Sequence, residues 1–344
     1  LAEIIQYVDP DAGGAGNGDD WTNAYTSLNA WEAGEQQDLT DATPDWMHCY
    51  CRASSGTIDS TVYEILGWTT AAASYILVEA ASTDRASTAW DATNYRLETA
   101  DATYAVRIRE DYVRFEGLQI GQTSGDASGD QTIVITGITA TNNDLWFSYC
   151  FIRTHPSSQV SRPIDFVDTD IICKIWNCII ENRATATGSY SLYCNVADLK
   201  VDNCTIIGNA TMTYSIRYVS GAGEFYNTIA IDAATQVWLD GSSNFTGDYN
   251  CEDDTGDVPG GNSQTGSEPT FVNKGTDYAL SGAGSVAKDN GTDRSGGLVS
   301  DSDDINGTAR GATWDIGAHE YVAAVAGGIS IPVVMHHLMQ QGIS

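Results

Sequence analysis

From Lys174 onward the chain alternates apolar and polar positions with period two, and the alternation restarts at regular intervals. KIWNCIIEN (174–182) and KVDNCTIIGN (200–209) are near copies. Aligned on that phrase, the chain gives a column of pairs: Gly117 with Leu118, Tyr149 with Cys150, Asn177 with Cys178, Asn203 with Cys204, Asn227 with Thr228, and Asn250 with Cys251. The intervals are 32, 28, 26, 24 and 23 residues, which tighten toward the period of a solenoid. A second column eleven residues upstream, Phe166, Leu192, Ile216 and Leu239, gives each repeat at least two strands.

Successive side chains on a strand point to opposite faces. Ile175, Val201 and Phe225 before the corner, with Cys178/Ile180, Cys204/Ile206 and Thr228/Ala230 after it, are apolar or small and are expected to face in. Lys174, Trp176, Lys200, Asp202, Glu224, Tyr226 and Tyr249 alternate with them and are expected to face out. No amphipathic helix fits between these strands, so a doubly wound sheet is excluded. The pattern predicts an all-β, right-handed parallel β-helix with one coil per repeat. Its recurring Asn sits at a corner, where Asn tolerates the left-handed conformation and can bond backbone or the Asn of the next coil.

Composition narrows the partners. Sixteen basic against 46 acidic side chains give a formal charge of −30, which disfavours nucleic acid and anionic membranes. No stretch reaches the 18 apolar residues of a membrane span. The acidic surface fits an extracellular or virion-surface setting, and the start LAEIIQYVDP reads as a removed leader or a start inside a longer product. The eight cysteines are 49, 51, 150, 173, 178, 194, 204 and 251. Stacked in adjacent coils about 4.8 Å apart, they exceed the usual disulfide Cβ separation of about 3.8 Å and are expected as buried thiols. No CxxC or Cys/His cluster has zinc-ligand spacing.

Four regions follow: an N-terminal strand, Gly/Asp loop and capping helix (1–45), β-helix coils (46–260, irregular up to Gly121), closing coils (261–321), and an apolar tail (322–344). The first, YVDPDAGGAGNGDDWTNAYTSLNAWEAG, holds a helix of about twelve residues beginning near Asn23. It resembles the cap of extracellular right-handed parallel β-helix proteins, the pectin-lyase-like superfamily. The chain also carries Glu268-Pro269-Thr270-Phe271, Asp277-Tyr278-Ala279-Leu280 and Asp315-Ile316-Gly317-Ala318-His319-Glu320-Tyr321. These pieces are similar to the closing segment of the same group. The resemblance spans about residues 7–321 and implies the fold, whereas chemistry on this fold varies among lyases, hydrolases, adhesins and phage spikes.

A pectate-lyase-like activity implies an outward carboxylate cluster holding calcium, with an Arg or Lys base beside it. The expected outward columns are Asp165, Ser191, Ser215, Trp238 and Val167, Tyr193, Arg217, Asp240. They hold two carboxylates, and Arg217 one coil from Asp240 reads as an exposed ion pair worth under about 1 kcal/mol. A glycosidase needs two carboxyls about 5–9 Å apart. Asp165 and Asp168 are near enough in sequence to be such a pair, although strand-end solvation is the simpler reading. We take Asp165, Tyr193, Arg217, Trp238 and Asp240 as a candidate glycan or subunit contact face and assign no catalytic residue.

Two acidic loops are candidate calcium sites: Asp9, Asp11, Asn17, Asp19 and Asp20, and Asp301, Asp303, Asp304 and Asn306. Neither has EF-hand spacing, and solvated Gly/Asp turns spell the same pattern. No other cofactor is implied. Sequons stand at Asn203, Asn209, Asn244, Asn290 and Asn306.

The tail VAAVAGGISIPVVMHHLMQQGIS carries no charged side chain on an otherwise acidic chain. Ile329, Ile331, Val333, Val334, Met335, Leu338 and Met339 either fold back over the solenoid or dock on another chain. Short apolar extensions of this kind resemble those after β-helix closing motifs in phage virion proteins. The leading expectation is therefore a non-enzymatic structural or adhesive protein, such as a phage virion appendage or decoration protein or a surface filament subunit, assembling through its tail. Its partners are copies of itself, another structural protein, or cell-surface polysaccharide. The alternatives are a secreted polysaccharide lyase or glycoside hydrolase using Glu252, Asp253, Asp254 and Asp257, and a monomeric glycan-binding module.

Overall fold

The computed structural model describes residues 2–41, 45–100, 103–123, 129–138, 143–157, 159–240, 245–254, 257–282, 284–296 and 302–323. The chain is a parallel β-helix, as the periodicity predicts: successive coils add parallel strands to three sheets. The first sheet contains Tyr63–Ile65, Tyr104–Ile108, Asp130–Ile135, Ser161–Phe166 and Gln236–Asp240. The second runs from Ala2–Val8 through Asp45–Cys51, Ile76–Ala80, Val113–Glu116, Asn143–Ser148 and Ile171–Trp176 to Phe245–Asp248. Two long strands, Leu192–Asp202 and Tyr214–Tyr226, serve both sheets, the first halves in one and the second halves in the other. The third sheet is built of short strands, among them Phe151–Arg153, Ile179–Glu181, Thr205–Ile207 and Ile229–Ile231. Coils before Gly121 already contribute regular strands to all three. No helix among the described residues is long and apolar enough to cross a membrane.

The corner between the second and third sheets is one residue wide and left-handed. Gly117, Tyr149, Asn177, Asn203 and Asn227 occupy it with φ between 49° and 70°. At the next coil the column shifts by one residue from the sequence alignment: Tyr249 takes the left-handed φ, because Tyr226 pairs with Asp248. Asn250 instead ends the corner with its side chain, donating to the Phe225 carbonyl at 3.0 Å and accepting from the Thr228 N–H at 3.0 Å. The thiols next to the corner have a matching task. Cys150, Cys178 and Cys204 each turn Sγ toward the carbonyl two residues back, at 3.2, 3.2 and 3.3 Å, and Thr228 Oγ1 does the same at 3.1 Å. All eight cysteines are buried and unpaired.

Aromatic plugs close both ends of the core, where an open stack would expose apolar surface. At the N-terminal end the helix Leu28–Glu35 is shorter than expected and starts later, because Ser27 caps it by accepting from the Ala30 N–H at 3.1 Å. Its Trp31 packs against Trp68 and Tyr63, with centroids 5.7 and 6.3 Å apart. At the other end Phe225, Trp238, Phe245 and Tyr218 form the plug, Trp238 lying edge-on to Phe225 at 4.9 Å. This corrects the expected outward position of Trp238. The column Ile164, Leu192, Ile216 continues into Trp238, which is 2 % exposed, and not into Leu239. Phe166 likewise lies two residues beyond the position paired with Leu192. The last coil is shorter than its predecessors, and a one-residue slip exchanges the two faces.

The segment expected as closing coils adds one parallel bridge to the last coil among the described residues, Gln264 beside Cys251, with the Gln264 N–H donating to the Asn250 carbonyl at 2.7 Å. Phe271–Asn273 and Asp277–Leu280 pair antiparallel with each other, and the chain then runs back across the coils as a strap. Tyr278, Leu280, Ala287, Ile305, Ile316 and Ala318 cover the outer face of the third sheet, where Phe151, Ile179, Ile207, Ile229, Ile231 and Cys251 lie. Cys251 thus lies outside the coil, contrary to its expected inward position, because it pairs with Ile229. The strap reaches an early coil, where the Thr88 N–H donates to Asn306 Oδ1 at 3.3 Å and the Tyr278 N–H to the Thr88 carbonyl at 2.9 Å.

Candidate binding face

The outer face of the first sheet brings together three of the five residues expected there. Asp165 pairs with Tyr193, and Tyr193 with Arg217, in three successive coils. Asp165 is 1 % exposed because its neighbours lie over it: Oδ2 accepts from Arg162 Nη1 at 2.5 Å and from Gln131 Nε2 at 2.9 Å. Trp238 is absent from the face, as its place in the core requires. Asp240 pairs in register with Tyr218 rather than Arg217, so the expected alignment of Arg217 with Asp240 does not form; its side chain lies outside the description. Ser191 and Ser215 are buried at the strand entry, donating to the carbonyls of Ile207 and Ile231 at 2.9 Å each.

Arg162, Tyr190 and Tyr214 complete the face. The guanidinium carbons of Arg162 and Arg217 lie 4.3 and 5.6 Å from the Tyr193 ring centroid, and 5.7 and 5.1 Å from that of Tyr190. Tyr190 and Tyr193 have centroids 5.6 Å apart, and Tyr214 stacks on Tyr190 at 6.5 Å with an interplanar angle of 11°. Arg217 Nη1 donates to Tyr190 Oη at 2.6 Å, and no carboxylate bridges Arg217 among the described residues. The signal for the two tyrosines was present: each stands two positions before a core residue of the upstream column, Leu192 or Ile216. The inward/outward alternation hid them, because the strand entry does not obey it.

Carboxylates elsewhere are engaged in holding the chain. Asp304, expected as a calcium ligand, is fully buried: Oδ1 accepts from the N–H groups of Asn306 and Thr308 at 2.9 and 2.7 Å, and Oδ2 from that of Glu320 at 2.9 Å. Asn306 is spent on Thr88, the Asp303 carbonyl accepts from Asn177 Nδ2 at 2.9 Å, and Asp301 lies outside the described residues. In the N-terminal loop Asp9 bridges Arg52 at 2.8 Å, and Asp20 accepts from the backbone of Thr22 and Asn23. Among the sequons, Asn203 is buried in the corner while Asn290 is exposed.

The carboxylates named for an enzyme separate. Asp257 accepts from the Trp238 N–H at 3.3 Å and Glu252 is fully buried, whereas Asp253 joins Asp232 and Glu268, with ligand oxygens of the three within 4.8 Å of one another. Lys274 sits among them, 2.8 Å from Asp232 and 2.5 Å from Glu268. Burial acts to lower its pKa, but the hydrogen bonds to these two acids hold the ammonium above its ordinary value. Burial also raises Asp232 and Asp253. The cluster ties the tip of the strap hairpin to the end of the third sheet.

The motif at the strap's end is explained the same way. Buried Arg310 donates to Asn177 Oδ1 at 3.2 Å and to the Gly317 carbonyl at 2.9 Å, and lies 3.5 Å from Glu320. Asp315 accepts from the Asp289 and Tyr321 N–H groups, and Glu320 from those of Gly311 and Asp315. Gly317 has φ +102°, and a Cβ there would stand 2.6 Å from Ile229 Cδ1.

No family model and no curated protein matches the chain. Solved structures similar to it include pectate lyase Pel9A, at 15 % identity over 92 % of this chain and 96 % of that one, with a TM-score of 0.30. The pectin methylesterase from Aspergillus niger is similar at 10 % identity over 85 % and 92 %, with a TM-score of 0.36. The fold itself rests on the strand pairing described above.

Proposed function

We propose that this chain is a structural or adhesive β-helix that binds through its lateral face without turning its ligand over, in an extracellular or virion-surface setting. The observation that carries the reading is the Arg162–Tyr193–Arg217 row. Aromatic rings and guanidinium groups are the side chains that give most binding energy at contact surfaces, and here they recur coil after coil on a rigid sheet. The row's carboxylate, Asp165, is held by Arg162 and Gln131, so it is poorly placed to donate or abstract a proton. Polysaccharide is the ligand we favour, because a sugar ring can lie on half-buried Tyr193 while its hydroxyls meet the flanking polar groups.

The apolar tail, Ile329, Ile331, Val333, Val334, Met335, Leu338 and Met339, lies outside the described residues, and its role in assembly rests on sequence alone. Phage appendage, decoration protein and filament subunit are the settings in which a charge-free tail on an acidic body is useful. Light scattering of the intact chain and of a chain ending at Tyr321 tests this part: a defined oligomer that becomes a monomer supports it, and two monomers refute it. Retention on insoluble polysaccharide tests the face, with Tyr193→Ala expected to reduce it at least about tenfold; undiminished retention refutes the face.

The enzymatic alternative draws on the Asp232, Asp253 and Glu268 cluster. Lys274 weighs against it, since a general base of a lyase needs a depressed pKa and this ammonium is raised.

A further inference from the structure

We infer that the face around Arg217 is specific for a mostly neutral polysaccharide carrying isolated acidic groups, carboxylate or sulfate, and that Arg217 is the residue that reads them. The inference rests on the glycan reading of the face given above. The two arginines flanking Tyr193 are not equivalent: Arg162 is neutralised by Asp165 at 2.5 Å, while Arg217 spends Nη1 on a phenol at 2.6 Å. A guanidinium has five N–H donors in a planar fork that fits an oxyanion with two parallel bonds. Half-exposed Arg217, which no carboxylate bridges among the described residues, therefore presents charge and donors beside two tyrosine rings. Asp240 does not share its register position, which Leu239 occupies.

The charge of the rest of the chain sets the density of acid that the site tolerates. A formal charge of −30 repels a dense polyanion along its length. An isolated acidic group feels that field screened over about 10 Å in ordinary buffer, and Arg217 acts on it at contact distance. The combination selects sparse acid on a neutral backbone over both an uncharged chain and a polymer charged at every residue.

The test is retention of the full chain on immobilised dextran, mannan and galactan, each unmodified, sparsely carboxymethylated, sparsely sulfated and densely sulfated. Sparse acid on at least one backbone is expected to bind about tenfold better than the unmodified form, with the preference shrinking in high salt. Whichever sparse form binds better tells carboxylate from sulfate. Arg217→Gln should bring the ratio of acidic to neutral retention close to one, and Arg217→Lys should leave an intermediate ratio. The wild-type salt series does not depend on either variant folding. Equal retention of neutral and acidic forms, or strongest retention of the dense polyanion, overturns the inference and leaves the face a glycan site. No retention on any backbone overturns the glycan reading and the inference with it.

Discussion

Asn227 Nδ2 donates to Asn203 Oδ1 at 2.9 Å, joining the left-handed corners of two adjacent coils. The same Asn227 amide donates to the Thr292 carbonyl at 2.7 Å and its Oδ1 accepts from the Thr292 N–H at 2.9 Å. One side chain therefore holds coil to coil and coil to strap. Asn227→Ala loses these bonds and places Ala at φ 49°. The left-handed penalty of about 1–2 kcal/mol plus a stranded buried partner of about 1–3 kcal/mol predicts a loss of about 2–5 kcal/mol in denaturant unfolding. Asn227→Gly relieves the backbone alone and should fall between the two; equal stability of all three would contradict the corner's role.

Trp238 distinguishes core from face. Trp238→Ala is expected to cost about 3–5 kcal/mol, by opening the plug around Phe225 and Phe245. Loss of ligand binding in a variant with unchanged stability would put Trp238 back on the outside.

Arg310 locks the strap. Arg310→Met strips the partner from a buried set of Asp315 and Gly317 carbonyls, Asn177 Oδ1 and Glu320, at about 3–5 kcal/mol. Limited proteolysis should then cut first between Asp289 and Tyr321 while the coils persist. First cuts within the coils would contradict the strap as a separate layer.

The pH dependence follows from two buried acids. Burial pushes Glu32 up to about 7, against hydrogen bonds from the Leu66 N–H and the Trp68 indole, and Asp202 up to about 6, against its Arg294 partner. A carboxyl whose folded pKa lies above its unfolded value near about 4 binds its proton more tightly when folded. That contribution is fully present below the unfolded value and is lost as pH rises through the folded one. The melting temperature should therefore rise as pH falls from about 8 to about 5. Glu32→Gln should flatten the upper part of that rise and Asp202→Asn the lower part. A melting temperature that falls steadily over the same range would contradict the assignment.

The repeat, the inward columns and the fold were legible because strand alternation and the left-handed preference of Asn act locally, and Ile175, Val201 and Phe225 follow them. The errors share one cause. Coil length drops at the C-terminal end, so Tyr249, Trp238 and Cys251 each stand one position from where a fixed offset places them. The strap was recognisable as a motif in Asp315 through Tyr321, but its route was not, because sequence spacing does not say that residue 306 returns to residue 88. Of the candidate face, Asp165, Tyr193 and Arg217 were readable from alternation. Arg162 and Tyr190 belong to strand entries, where alternation carries no information.

The claim that this face binds without catalysis is tested most directly by one assay. The chain is incubated with the polysaccharides it retains, and both bound protein and newly released reducing or unsaturated ends are measured. The account predicts retention that depends on Tyr193 and Arg217, with end groups no higher than in the protein-free control. Release of ends that tracks enzyme concentration and disappears in Asp253→Asn would contradict it and move the function to the Asp232, Asp253 and Glu268 cluster.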